Sequence, residues 1–281
     1  MYEVIFLFVL AFVHVLFAVV QDIKTREICN WISFSLIIFA LGFRFLYSLF
    51  EGDGFVFFYM GLIGLGIFFL LGNLFYYGKV FAGGDAKLMI ALGTVLPIYP
   101  NIFSNLELFF NFLLMFLFAG FAYTFFSSIV LFLKHFKSFR KEFIVQLKKK
   151  KIFMIILTAG SVLFLLIGFF YSLFFLVGIF IFFISYLYIY SKAIDEACMI
   201  KKVKVKTLTE GDWLYSDLKV GNKWIKATWD GLTNKDINEI RKKYHEVRIR
   251  HGIPFSPVFL MGLIALIIFT FFDIQLWNPF W

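Results

Sequence analysis

The sequence predicts an all-α polytopic membrane protein of about eight transmembrane helices, with a small cytoplasmic α+β insertion towards its C-terminus. Three observations predict it. Of the 281 residues, 62% are hydrophobic and 16% charged, and mean hydropathy is +0.88, whereas soluble domains are usually about 45–50% apolar. Several apolar runs exceed the ~18 residues that mark a spanning helix. The Lys and Arg residues cluster in alternate loops, as the positive-inside rule requires of cytoplasmic loops.

The apolar runs fall at 4–20, 31–50, 55–77, 86–99, 107–133, 152–169, 172–190 and 254–272. The first follows Met1-Tyr2-Glu3, with no basic n-region and no small-residue cleavage site, so it is expected to stay as a helix. The stretch 152–190 is too long for one crossing and is split at Gly168 to Ser172 into a helical hairpin. With the N-terminus outside, the cytoplasmic loops 21–30, 78–87, 134–151 and 191–252 hold 26 of the 27 Lys and Arg residues. The opposite loops carry Glu51, Asp53, Glu107 and an external tail from Asp273, with no basic residue. The expected organisation is a membrane core over 1–133 (five crossings), a basic amphipathic cytoplasmic segment over 134–151 and a transmembrane hairpin over 152–190. A small cytoplasmic domain over 191–252 follows, then a last helix and external tail over 253–281.

Within 134–151, Phe136, Phe139 and Phe143 recur at helical spacing among cations, which predicts a surface helix lying on anionic headgroups. In 191–252, Val203 and Val205 alternate with lysines, suggesting a strand, and Trp224-Ile225 suggests a second. Thr233 followed by Asp236 has the form of a capping box, opening a charged helix expected to end near His251-Gly252. The net charge of +9 follows from these loops facing anionic lipid, and nucleic acid is not expected as a partner. Cys29 and Cys198 form no CxxC pair, so neither a zinc ribbon nor a disulfide framework is expected; no metal is expected, and no cofactor motif is visible.

Chemistry is concentrated in two acidic residues. Asp22 ends the first crossing and Asp85 opens the fourth, so the topology sets both at the same cytoplasmic face. Each alone has an ordinary reading: Asp85 as a helix N-cap, Asp22 as a headgroup-level charge. Gly83-Gly84 shifts the balance, because two glycines cost roughly 1 kcal/mol each in a helix and suggest a backbone that only glycine reaches easily. Two carboxylates in contact would share a proton, one activating water while the other polarises a carbonyl.

Asp22 with Arg26-Glu27-Ile28-Cys29-Asn30-Trp31, and Gly84-Asp85-Ala86-Lys87-Leu88, together resemble the archaeal preflagellin and prepilin peptidases. That family is related to bacterial type IV prepilin peptidases and to GxGD membrane aspartyl proteases. The region from Gly211-Asp212-Trp213-Leu214 through Gly252-Ile253-Pro254-Phe255 resembles the C-terminal extension of some archaeal members. Ala82 stands where the motif has its first glycine, so the carry-over rests on Gly84 and Asp85. The resemblance implies a catalytic pair, Asp22 and Asp85, supported by Gly83, Gly84 and Lys87. It implies cleavage of short basic leaders from pilin-like or flagellin-like precursors at the cytoplasmic face of the plasma membrane, with no cofactor.

Lys87 either snorkels to the headgroups or holds one aspartate ionised, and Glu27 is a candidate contact for a basic leader. His14 reads as a buried hydrogen-bonding histidine, Arg44 as a side chain snorkelling outward, and Asn73 and Asn111 as interhelical hydrogen-bond partners. Two rival readings remain: a transporter binding protons or cations at Asp22 and Asp85, and a scaffold of a pilus machine docking through its basic segments.

Overall fold

A computed structural model describes residues 2–52, 54–221 and 223–272. Asp53 and the tail 273–281 lie outside the described residues. The chain divides into two compact units, residues 1–125 with 253–281, and residues 126–252. It is mostly helical, with a small strand-containing region towards the C-terminus.

In the first unit, α1 (Tyr2–Thr25), α2 (Asn30–Glu51) and α3 (Val56–Tyr77) are each long and apolar enough to cross a membrane. Gly52, at φ +67°, ends α2 in the left-handed region, the usual glycine stop. Helix α3 buries Gly61, Gly64, Phe68 and Gly72 on one face, and that face receives the next element. A Cβ on Gly64 would lie 2.2 Å from the Gly93 carbonyl oxygen, so glycine there lets two backbones touch, as small residues do in membrane helix packing.

That next element differs from the regular fourth helix expected over 86–99. Helix α4 runs only Gly83–Leu92, about 15 Å, half a hydrocarbon core. Residues 93–97 continue as irregular backbone and are all buried. Irregular backbone at membrane depth survives only where protein satisfies its carbonyls, and Arg44 does so. Its side chain is 0% exposed and donates to the carbonyls of Thr94 (2.8 Å), Val95 (3.0 Å) and Pro97, and to Phe57 (2.9 Å) across the unit. The guanidinium also lies over the Phe57 ring, 4.2 Å from its centroid. Arg44 therefore does not snorkel outward. Asn105 completes the turn, accepting from the amides of Ile98 and Tyr99 and donating to the Tyr99 carbonyl.

Helix α5 (Ile102–Lys134) leads out of this unit, and the later α10 (Ser256–Phe271) returns to it. Phe112, Phe116 and Phe259 pack with Phe68 and Phe81 in one aromatic core. Helix α10 has 16 residues and falls below the length of the six helices able to span. Six helices among the described residues are long and apolar enough to span, and α4 and α10, which cover the other two expected runs, are shorter. The Asn73 amide donates to Phe69 of its own helix, and buried Asn111 Oδ1 has no partner among the described residues, so neither makes the expected interhelical bond. His14 Nδ1 lies 2.8 Å from the Leu10 carbonyl oxygen, as a hydrogen-bonding histidine should.

In the second unit, α6 (Phe136–Lys149), α7 (Lys151–Gly168) and α8 (Ser172–Cys198) follow. The hairpin breaks where the sequence indicated, between Gly168 and Ser172. The amphipathic helix differs from expectation. Phe139 is buried and packs with Phe143 against Tyr190, Ala193, Ile194 and Cys198, so that face meets protein, and Phe136 alone of the three is exposed.

Beyond Cys198, a three-stranded antiparallel sheet forms in the order β1 (Ile200–Lys204), β5 (Glu246–Arg250), β2 (Trp213–Leu214), with Val203 opposite Val247. A separate hairpin pairs β3 (Leu218–Val220) with β4 (Lys223–Ile225), the latter holding Trp224 and Ile225 as expected. Val205 belongs to a 3-10 turn after β1 rather than to the strand. The Thr233–Asp236 capping box is present, but its helix α9 (Asn234–Arg241) ends far short of His251. Val247 and Ile249 turn inward at period two against Ile237 and Ile240, which makes the final stretch strand β5.

Candidate active site

Helix α1 buries Leu7, Ala11, Val15, Ala18 and Asp22, spaced four or three apart, so one face of the helix carries them all. Asp22 is the last member of that stripe and inherits its inward direction. It is 7% exposed, not a solvated headgroup charge. Its Oδ2 accepts from the backbone amide of Ser256 at 3.1 Å, the first residue of α10.

The α1–α2 loop is braced at close range. Gln21 Oε1 accepts from the Cys29 amide at 3.1 Å, while its Nε2 donates to Cys29 Sγ. Arg26, at φ +63°, turns the chain, its amide donating to the Asp22 carbonyl. Ile28 of this loop touches the start of α4. A Cβ on Gly84 would lie 3.1 Å from Ile28 Cβ, whereas Gly83 has only Tyr76 within reach, at 3.8 Å. The double glycine is therefore not a special backbone conformation. Neither residue has positive φ, and Gly84 makes room for the loop that carries Asp22's chain to α2.

Asp85 is not the N-cap of α4. Ala82 is, and Asp85 is the third helical residue, its carboxylate hydrogen-bonded to the Ala82 backbone, half of a capping box. Asp85 is 8% exposed and lies close enough to Asp22 for that charge to act on it. Phe81, just before the helix, packs against Phe75, Phe116, Phe255 and Phe259. Phe81 is itself 1% exposed, so the chain enters α4 from an aromatic cluster.

The other expected site residues are spread out. Lys87 Nζ donates to Asn30 Oδ1 at 2.7 Å, tying α4 to the start of α2. Glu27 is exposed on the loop. A cavity of about 790 Å³ lies between α2, α3 and α4, lined by Ser33, Phe34, Asn73, Gly83, Lys87 and Ile90 among others. Gly83, Lys87 and Ile90 share one helical face, and at 100° per residue Asp85 points to the opposite side of α4. The cavity is not where the carboxylates face. Among the described residues no cluster of three or more His, Cys, Asp or Glu is arranged to hold a metal ion. Ser256 escaped the sequence reading because nothing local marks it, and Asn30 was marked only as part of the loop motif, not as a partner of Lys87: the residues they meet lie 234 and 57 positions away.

Residues 9–134 match the family model of the type IV leader peptidase family. This segment belongs to that family. The match holds Asp22, Gly83, Gly84, Asp85 and Lys87, and it stops before α6. Comparison with curated proteins and with solved structures returned no match. Leader peptidase membership indicates a protease, here in a multi-pass membrane chain.

Proposed function

We propose that this leader peptidase is an aspartyl endopeptidase that removes short basic leaders from type IV prepilin-like or preflagellin precursors, with Asp22 and Asp85 as its catalytic pair. The observation that carries the reading is two buried carboxylates, from α1 and α4, near enough to feel each other's charge within the family-matched segment. Such a pair holds one proton between its members, since two adjacent anions in a poorly solvated site repel. The ionised carboxylate takes a proton from water as the water oxygen bonds to the scissile carbonyl carbon. The protonated partner gives its proton to the carbonyl oxygen. Collapse of the tetrahedral intermediate breaks the C–N bond as one of its hydroxyls returns a proton to the second carboxylate, and the departing amine takes a proton from the first carboxyl, which restores the starting pair.

The site faces the cytoplasm of the plasma membrane, with the N-terminus outside. What supports this is the placement of nearly all basic residues in the loops on the Asp22 and Asp85 side. A precursor would keep its charged leader there and its apolar helix in the bilayer, bringing the scissile bond to the depth of the carboxylates. Gly84 keeps the Asp22 loop against α4, Lys87 braces α4 on α2, and exposed Glu27 meets a cation of the leader. Anionic headgroups meet the basic loops.

The test mixes purified protein in detergent with a pilin-like precursor. Wild type should shorten the precursor, while Asp22→Asn and Asp85→Asn should each insert normally and leave it intact. Trimming by either variant at the wild-type rate ends the aspartyl reading.

A further inference from the structure

Ser256 opens α10 from beyond the family-matched segment, is 0% exposed, and gives its amide to Asp22 Oδ2. Its hydroxyl is buried and has no hydrogen-bond partner among the described residues. The Ser33 hydroxyl in α2 shares that state, whereas other helical serines satisfy themselves locally. Ser35 and Ser161 donate to the carbonyl three residues back, as does Ser191, and Ser185 to the one four back. Ser256 lacks that outlet because, as the first helical residue, it has no preceding turn. A buried hydroxyl left without a partner costs about 1–3 kcal/mol, so a serine here is disfavoured unless something occupies it. Covalent geometry keeps this Oγ within at most about 7 Å of Asp22 Oδ2, and a single water bridges the two wherever they lie within about 5.6 Å, the span of two hydrogen bonds.

We propose that Ser256 is a positioning residue for the hydrolytic reaction, its amide fixing the Asp22 carboxylate and its hydroxyl holding the reacting water against it. The inference rests on the aspartyl reading above. It makes α10, outside the matched segment, part of the working site. The amide constrains one carboxylate oxygen and leaves the other to receive the proton. The hydroxyl accepts from or donates to the water without itself changing protonation, so it alters the geometry of attack rather than the chemistry. This also accounts for a polar residue at the one point where α10 meets α1 beside an ionisable group.

The test measures kcat and KM on a pilin-like precursor, with thermal unfolding in parallel, for the full chain and its Ser256→Ala, Ser256→Thr and Asp22→Asn variants. Ser256→Ala keeps the amide. It should lower kcat about tenfold to a hundredfold, with KM within about twofold and no loss of thermal stability. Ser256→Thr, which keeps a hydroxyl, should recover most of the rate. Wild-type kcat in Ser256→Ala overturns the proposal, as does a loss that tracks a fall in thermal stability and is not recovered by threonine. An inactive Asp22→Asn beside a fully active Ser256→Ala would remove Ser256 alone. A fully active Asp22→Asn would remove both readings.

Discussion

Replacing Arg44 with leucine gives the sharpest test of how the half-length helix α4 is held. The guanidinium makes four hydrogen bonds to backbone carbonyls, at Thr94, Phe57, Val95 and Pro97, none of which any side-chain change can delete. Swapping a buried charged network for apolar groups is often neutral when every partner becomes apolar. Here the acceptors would stay. Each buried carbonyl left without a donor costs about 1–3 kcal/mol. If backbone relaxation re-satisfies two of the four, the loss is still about 2–6 kcal/mol, offset in part because the guanidinium no longer needs to be desolvated. The expected net loss is about 1–4 kcal/mol, a sizeable part of the 5–15 kcal/mol typical of a folded domain. Arg44→Lys should fall between, since a point-like ammonium cannot span acceptors arranged for a planar fork. The assay is denaturant titration of the detergent-solubilised chain, followed by circular dichroism. A midpoint for Arg44→Leu indistinguishable from wild type would refute the reasoning.

Two further outcomes follow from the geometry. Gly83→Ala should leave both stability and cleavage near wild type, because its Cβ meets nothing closer than 3.8 Å. Gly84→Ala should reduce cleavage by pressing its Cβ against Ile28 at 3.1 Å, and precursor-trimming rates of the two variants measured side by side decide it. In the second unit, the Tyr215 hydroxyl donates to Glu196 Oε2 at 2.9 Å, and that carboxylate holds the phenol above its ordinary range. A group whose folded value is raised contributes stability below its unfolded value and loses it as pH rises through the folded one. The difference between wild-type and Tyr215→Phe tyrosinate absorbance should therefore show one phenol ionising later than usual, with the stability gap between them closing at strongly alkaline pH.

What the sequence made legible was whatever depends on local pattern. Apolar runs located the long helices, the break at Gly168 to Ser172 marked the hairpin, and Thr233-Asp236 announced its capping box. Asp22 and Asp85 stood out because they interrupt or border apolar runs. The misreadings share a cause, which is that partners distant in sequence decide the outcome. Hydropathy carries on through Gly93 to Pro97, so nothing in 86–99 showed that α4 stops at Leu92. Arg44 resembles a snorkelling side chain until carbonyls fifty residues away come to meet it. Phe139 reads as a lipid-facing residue until α8 extends far enough to cover it. The charges of Lys242 to Arg250 mask the period-two burial of Val247 and Ile249 that makes a strand. Gly84 drew notice for the backbone angles that glycine opens, whereas what the structure shows there is the space it leaves for Ile28.

The bond between Asp22 and the Ser256 amide joins residues 234 positions apart, and this bears on biosynthesis. A ribosome adding about 5–20 residues per second needs roughly 10–50 seconds to travel that interval. For all that time α1 would sit in the bilayer with its carboxylate lacking its amide donor. Until α10 is released and docks, nothing fixes that carboxylate from the far end of the chain, so a prematurely ended translation product would lack this bond altogether.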